Sequence, residues 1–299
     1  MMQILVGVDQ QPGPVVSLLK RLNFPYAHYE VVHTLSASDY LSYGIEGVRT
    51  PADVERIVSA ENRQARQLAE NAGRLLMREG EPHPVGDVLF GHPTEALLRR
   101  ADSLRAELVA INASHTHSES AAALTGSVAR GVAMGAHQSV LIARPPTLLS
   151  ADDHPVRAVF ATDHSDYANR CLETLVDFAP RGLSHLLVMT AAPEKELELV
   201  DRELPELGIA VSASVRQALE RRNQTVAHSL ARELTHVSIE TALYTQPIHE
   251  AIERALDQAS ADLLIIGAKG HSLLERLTLG SVSLHQALSG PSSVLILRH

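Results

Sequence analysis

Cysteine is nearly missing from this sequence, and a basic charge excess and long apolar runs are missing altogether. Cys171 is the only cysteine among 299 residues, which excludes a disulfide within the chain and is compatible with a reducing compartment. The formal net charge of -9 provides no basic field for binding a nucleic-acid backbone. The longest apolar runs, such as LLIIGA at 263–268, are far shorter than the roughly 20 residues of a membrane-spanning helix.

The N-terminal segment also lacks the features of a secretion signal. MMQILVGVDQ is followed by Pro12 and Pro14, and no basic stretch precedes a long apolar one. With the single cysteine and the short apolar runs, this pattern predicts a cytoplasmic protein that binds neither membrane nor nucleic acid. At 45% hydrophobic residues, a chain of this length is expected to form two ordinary domains.

The sequence contains an internal repeat with an offset of 154 positions. Asp9 and Asp163 each follow an apolar run, and Pro93 matches Pro247. Further pairs keep this offset, namely the Gly-Ser-Val segments at 126–128 and 280–282 and the apolar segments ending at Arg144 and Arg298. The offset becomes 155 where AELVAIN aligns with ADLLIIG. We therefore predict one domain at 1–146, a polar, proline-flanked linker at 147–154, and a second domain at 155–299.

Each half alternates short apolar runs with longer segments of helical periodicity, as parallel strands joined by crossover helices do. In the second half, the predicted strands lie at 156–162, 184–190, 236–244, 262–267 and 293–298. The predicted helices lie at 165–178, 211–234, 247–259 and 281–288, and the acid-rich run from Glu194 is either a further helix or a mobile segment. A long helix is predicted from Pro51 to about Arg78. The fold class is therefore α/β, with two tandem open, mostly parallel five-stranded sheets covered by helices on both faces.

A glycine-rich segment follows the apolar run of the fourth predicted strand in the second half. Gly267, Gly270 and Gly280 are followed by Ser281 in the spacing G-x2-G-x9-G-S. Gly267 suits the turn out of the strand, and Gly270 lets backbone N–H groups approach an anion without an intervening Cβ. Gly280 and Ser281 are predicted to open a helix, whose N-terminal N–H groups and dipole favour phosphate, and the hydroxyls of Ser281 and Ser283 add donors. This segment therefore predicts a phosphate site beyond the carboxyl ends of the strands.

This spacing resembles the signature of the ATP-binding branch of the universal stress protein family, and the order of elements is similar over essentially the whole chain. The resemblance implies a Rossmann-like fold of the adenine-nucleotide alpha hydrolase-like type and ATP, with or without Mg²⁺, as the ligand. It also implies pairing between the two domains, a homodimer, or both. The implied role is a nucleotide-responsive stress sensor or switch, with at most slow ATP hydrolysis.

The same resemblance assigns roles to individual residues of the second half. Asp163 contacts the adenosine, Val188 lines the adenine pocket, and Gly267 and Gly270 approach the ribose and the phosphates. The start of the final helix holds the phosphates. The complete predicted nucleotide site consists of Ala161, Thr162, Asp163, Val188, Ile266, Gly267, Lys269, Gly270, Gly280, Ser281, Val282 and Ser283.

The first half keeps only part of this pattern. Asn112 and His115 stand where the second half has Gly267 and Gly270. A Cβ at both positions is expected to crowd the backbone cradle, so we expect about one ATP per chain, bound in the second half. The first half is then a structural or regulatory copy or holds a different ligand, and its degenerate site consists of Asp9, Asn112, His115, Gly126, Ser127 and Val128.

Some of these residues have simpler interpretations. Asp163 either contacts adenosine or caps the helix that follows it. Lys269 either reaches a phosphate oxygen or is an ordinary solvated loop residue. His115 and His117 have no further ligand at metal spacing, so no metal site is predicted there. Cys171 is expected to be a core thiol rather than a catalytic one.

Three motifs of ATP-using enzymes are not found in the sequence. The first strand of the second half is followed by ATDHSDY rather than an SGGxDS-type pyrophosphate loop, and neither an HxGH pair nor a GxxxxGK[ST] loop occurs. No catalytic residue is therefore predicted. The main alternative is a nucleotide-independent interaction or scaffold protein that assembles through the apolar final strands SVLIAR and SVLILR. A flavoprotein-like relative that binds FAD or AMP is a third class.

Overall fold

The computed structural model describes residues 1–9, 13–36, 51–113, 126–145, 154–206, 214–269 and 279–299. These residues form two compact units, one mainly from the first 146 residues and the other mainly from the remainder. Within the described ranges, no helix is long and apolar enough to cross a membrane.

The first unit alternates strands and helices. The described elements are β1 (Gln3–Val8), α1 (Gly13–Leu22), β2 (His28–Leu35), α2 (Pro51–Leu76), β3 (Val85–Phe90), α3 (Pro93–Leu104), β4 (Leu108–Asn112), α4 (Ser127–Gly135) and β5 (Ser139–Ala143). Every neighbouring pair of these strands is parallel, in the order β3-β2-β1-β4-β5. The central strand β1 lies between β2 and β4, with Gly7 opposite Val32 on one side and Ile111 on the other.

The second unit repeats this arrangement. The described elements are β6 (Val156–Ala161), α5 (Asp166–Phe178), β7 (Leu183–Ala191), α6 (Glu194–Glu206), α7 (Val215–Glu233), β8 (Ser238–Tyr244), α8 (Ile248–Ala259), β9 (Leu263–Gly267), α9 (Ser281–Ser289) and β10 (Ser293–Leu297). The strands are parallel in the order β8-β7-β6-β9-β10, with β6 at the centre. Ala161 of β6 lies opposite Met189 on one side and Ile266 on the other.

The predicted α/β fold of two tandem units is confirmed, as are the five strands predicted in the second half. The acid-rich run from Glu194 forms helix α6, which decides between the two interpretations of that run. The predicted helix 211–234 is observed from Val215, and residues 207–213 lie outside the described ranges. The long helix of the first half ends at Leu76, two residues before the predicted end.

Burial explains why these segments form their elements. Every residue of β4, β5, β9 and β10 is buried, so these strands are covered on both faces. Helix α5 instead buries one stripe, in which Cys171, Leu175 and Phe178 recur at helical spacing. Burial also raises the pKa of the Cys171 thiol to about 12. The prediction of a core thiol at Cys171 is therefore confirmed.

The strand order fixes where a ligand can approach each sheet. From the central strand the chain moves first to one side and then crosses to the other. The carboxyl ends of β1 and β4, and of β6 and β9, therefore border the point where the order reverses. In parallel α/β sheets this point is the usual place of the ligand site.

Candidate functional site

A cavity of about 270 Å³ opens at the carboxyl ends of β6, β7 and β9. Most of the predicted nucleotide-site residues line it, namely Ala161, Thr162, Asp163, Ile266, Gly267, Lys269, Gly280, Ser281, Val282 and Ser283. Gly270, the remaining glycine of the predicted loop, lies outside the described residues. The structure thus brings residues that are far apart in the sequence together around one cavity.

Among the predicted site residues that the structure describes, Val188 is the one that does not line the cavity. It is fully buried, and Met189 and Ala191 of the same strand line the cavity instead. Successive side chains of a strand point to opposite faces, so a shift of one residue moves the assignment to the wrong face. Ala168 and Ile248 are further lining residues that the sequence pattern missed.

Asp163 forms the acidic part of the cavity wall. Its Oδ1 accepts a hydrogen bond from the Ser165 N–H over 3.0 Å, as in an Asx turn. The residue that caps α5 is Ser165, whose Oγ accepts from the Ala168 N–H over 3.1 Å. The interpretation of Asp163 as the helix cap is therefore wrong, and Asp163 lines the cavity.

The N-terminus of α9 forms the opposite wall. The hydrogen-bond ladder of this helix starts with the Leu284 N–H, which donates to the Gly280 carbonyl over 2.8 Å. This start leaves the N–H groups of Ser281, Val282 and Ser283 outside the ladder, at the positive end of the helix dipole. Such an end is favourable for an anion.

The Ser283 hydroxyl makes a different hydrogen bond from the predicted one. Its side chain is buried, and its hydroxyl donates to the Gly267 carbonyl over 2.6 Å. A serine hydroxyl has one proton to donate, so this contact occupies the donor that was assigned to phosphate. Ser283 therefore ties the first turn of α9 to the end of β9. Ser281, in contrast, has an exposed side chain.

The first unit reproduces the backbone of this wall. The Gly126 N–H donates to the Ala113 carbonyl over 2.7 Å, just as the Gly280 N–H donates to the Ala268 carbonyl over 2.8 Å. The space beside it is smaller, with a cavity of about 110 Å³ whose wall includes Asp9, Asn112 and Val128. His115 lies outside the described residues. The start of α4 is therefore a faithful copy of the start of α9.

The side chain of Asn112 does not point where the sequence suggested. Its Oδ1 accepts from the Val15 N–H over 2.9 Å, so Asn112 serves the first turn of α1, and its Nδ2 lies 3.5 Å from Asp9 Oδ2. A Cβ placed on Gly267 would lie 3.4 Å from Tyr167 Cε1 and Cys171 Sγ of α5 and 3.4 Å from the Lys269 carbonyl oxygen. The expected crowding of the cradle by a Cβ stays a prediction.

The sequence model of the universal stress protein family matches residues 1–144 and again residues 157–298. The chain belongs to the universal stress protein family. Among solved structures it is similar to a universal stress protein from Archaeoglobus fulgidus, with 17% identity over 99% of this chain and 98% of the other, at a TM-score of 0.56. A proposed universal stress protein from Pseudomonas aeruginosa shares 14% identity over 100% and 93% of the two chains, at a TM-score of 0.55. At these identities the likeness shows the fold alone. No curated protein matches the chain.

Two glycines of this universal stress protein are expected to respond differently to substitution. Gly13 has φ +60, and a Cβ there would lie 2.8 Å from Asn112 Nδ2, whereas the nearest atoms to a Cβ at Gly267 are 3.4 Å away. We expect Gly13→Ala to lower the free energy of unfolding by about 1 kcal/mol or more, and Gly267→Ala to lower it by less than about 0.5 kcal/mol. Urea unfolding of both variants measures the difference, and equal losses would contradict it.

A histidine pair is expected to make the stability of this universal stress protein depend on pH. The rings of His249 and His285 lie 4.1 Å apart between centroids. Desolvation, followed by the charge of His285, lowers the pKa of His249 below 6.5, although Glu253 raises it. The unfolded chain then binds more protons as the pH falls through 6.5, so the free energy of unfolding falls with it.

We expect His249→Gln to weaken this pH dependence, because glutamine does not titrate. Urea unfolding at pH 7.5 and pH 5.5 measures it, with the difference between the two midpoints smaller in the variant than in the wild type. An unchanged difference would show that His249 is not one of the responsible groups.

Proposed function

We propose that this universal stress protein binds ATP in its second domain and acts as a nucleotide-responsive sensor or switch. The observation that supports this proposal is one cavity that combines an apolar wall, a carboxylate and the open N-terminus of a helix. Ligand pockets are commonly apolar with a few placed polar groups, and these three features match the base, the ribose and the phosphates of a nucleotide. The proposed domain boundaries are 1–146 and 155–299, with a linker at 147–154.

The base end of the proposed site is the apolar wall. Met189 and Ala191 approach from β7, Ile248 from the start of α8, and Ile266 from β9. These side chains have no charge to pair, so they suit the flat apolar faces of a purine ring. We place the adenine between them.

The sugar and phosphate end lies between Asp163 and α9. Carboxylates are good acceptors for ribose hydroxyl groups, and Asp163 is the one carboxylate among the described residues that line the cavity. The phosphates would then meet the N–H groups of Ser281 and Val282, with Lys269 as a cationic partner. If Mg²⁺ accompanies the nucleotide, phosphate oxygens and water would supply most of its ligands.

A switch fits this arrangement better than a fast enzyme. Phosphoryl transfer needs a group that orients the nucleophile beside the terminal phosphate. Asp163, the described acidic group of the wall, already accepts the Ser165 N–H and lies at the proposed ribose end. We therefore propose that bound ATP stabilises one conformation or assembly, such as a homodimer, of a cytoplasmic protein.

Isothermal titration calorimetry of nucleotide-free protein with ATP tests this proposal, with and without Mg²⁺. We expect saturable binding, and we expect ATP or ADP among the ligands that mass spectrometry finds after denaturation of the freshly purified protein. If the protein carries no nucleotide and binds none at millimolar ATP, the switch proposal is lost. The interaction or scaffold alternative would then remain.

A further inference from the structure

Two cations lie near the aromatic ring of Tyr167 on helix α5. Lys269 Nζ lies 5.7 Å from the ring centroid, and Arg170 Cζ lies 5.9 Å from it. Both distances are within the range of a cation–π contact. Lys269 lines the large cavity of the second unit, whereas Arg170 is exposed and is not among the described lining residues.

The ring is held in place by its surroundings. Tyr167 is half-buried, and its Cε1 packs against the end of β9, 3.4 Å from where a Cβ on Gly267 would lie. Burial raises the pKa of Tyr167 to about 12, so the phenol is neutral at physiological pH. The attraction to Lys269 therefore comes from the π face rather than from a phenolate charge.

We propose that Tyr167 is a positioning residue, which holds the Lys269 ammonium at the phosphate end of the cavity and so makes the site prefer nucleotides with more phosphates. This inference rests on the proposed function, because it names the group that reads the phosphates of the proposed ligand. A lysine side chain has many rotamers, and a ring that favours one of them lowers the entropy lost when a phosphate binds.

Among the described residues of the first unit, no ring stands at the position equivalent to Tyr167. Gly13 stands 154 positions before Tyr167, and the space that the ring fills in the second unit is approached in the first by the Asn112 amide. In the first unit the larger side chain of this pair of positions is Asn112 and its partner is Gly13. In the second unit the position of Asn112 is taken by Gly267, and the position of Gly13 by the larger Tyr167. This exchange gives the second unit a platform for a cation, and it distinguishes the units at a position outside the glycine signature.

Binding of ATP and of adenosine to four variants tests the proposal. Tyr167→Leu removes the ring, Tyr167→Phe keeps it, and Lys269→Met removes the cation. Arg170→Met is the matched control, because it removes a positive charge over the same ring away from the cavity. Calorimetry gives the dissociation constants at low and high salt, and circular dichroism checks the fold of each variant.

We expect Lys269→Met to weaken ATP binding about tenfold or more, because a charge-assisted contact is lost. Tyr167→Leu should weaken ATP binding about fivefold, with adenosine binding unchanged. Tyr167→Phe and Arg170→Met should bind ATP like the wild type. In the double variant of Tyr167→Leu and Lys269→Met, the effects should not add, because both remove one contact.

Several results would overturn the proposal. Tyr167→Leu could bind ATP as tightly as the wild type, or lose ATP and adenosine affinity equally, as a merely structural residue would. If Tyr167→Leu fails to fold, Lys269→Met still tests the proposal. An ATP affinity of Lys269→Met equal to that of Arg170→Met would show that the Lys269 ammonium does not contact the bound ATP. A wild type that binds no ATP would instead defeat the proposed function itself.

Discussion

Replacing Ser281 by aspartate will weaken ATP binding by about 100-fold and leave the protein at least as stable as the wild type. Ser281 is the first residue of α9 and its side chain is exposed. An added carboxylate there opposes the charge of the phosphates, and at a surface dielectric two charges 4 Å apart interact by about 4 kcal/mol. The same carboxylate interacts favourably with the helix dipole, by about 0.3–1 kcal/mol. Binding and stability should therefore change in opposite directions.

The duplicated fold supplies a matched control for this variant. Ser127 is the first residue of α4 and stands 154 positions before Ser281. Ser127→Asp adds the same charge to an equivalent helix, so it should raise stability similarly and leave ATP affinity unchanged. Calorimetry and thermal unfolding of both variants measure the two effects. A phosphate site at α9 would be contradicted if both variants lost ATP binding equally, or if neither variant lost it.

Ala191→Trp is expected to abolish the binding of both ATP and adenosine. Ala191 lines the cavity at the end of β7, where the apolar wall is proposed to hold the base. An indole in this position fills the space that the purine needs, whichever phosphates follow. Ser281→Asp should spare adenosine binding, because it acts on the phosphate end alone. The two variants therefore separate the two ends of the proposed site.

Thr34→Trp is the control for the base end. Gly7 pairs with Val32 and Ala161 pairs with Met189, so Thr34 is the counterpart of Ala191 in the first unit. It lines the smaller cavity, and its replacement should leave ATP and adenosine affinity unchanged. Titrations with both ligands, together with urea unfolding, decide the matter. Adenosine affinity that survives in Ala191→Trp would place the base elsewhere.

Much of the fold could be predicted because the repeat is visible in the residues that the backbone requires. Buried parallel strands need apolar residues on both faces, which makes the strands of both halves recognisable. The glycines and the Gly-Ser pair of the second half mark a helix start after a strand, and the structure places Gly267, Gly280 and Ser281 around one cavity.

The uniformly apolar residues of β7 made the strand predictable. The same uniformity hid which of its residues face the cavity. Val188 and Met189 are both apolar and both buried, so no alternation of polar and apolar residues reveals which one faces the cavity. The one-residue error at Val188 follows directly from this. In a strand with one solvated face, the alternation of polar and apolar residues would have shown which residues point to each face.

The directions of Asn112 and Ser283 could not be predicted because their partners come from other elements. Asn112 accepts a hydrogen bond from the first turn of α1, and Ser283 donates one to the end of β9. A motif read along the chain suggests which residues are near a ligand. Competition by neighbouring backbone groups decides whether their side chains are available to it.

The stoichiometry of ATP binding tests the central claim most directly, which is that the fold is duplicated while the nucleotide site is not. Calorimetry on nucleotide-free protein should give about one ATP per chain for the wild type and for Ser127→Asp. For Ser281→Asp, no binding in the affinity range of the wild type is expected. Two equal sites per chain, or one site that survives in Ser281→Asp and is lost in Ser127→Asp, would contradict the account.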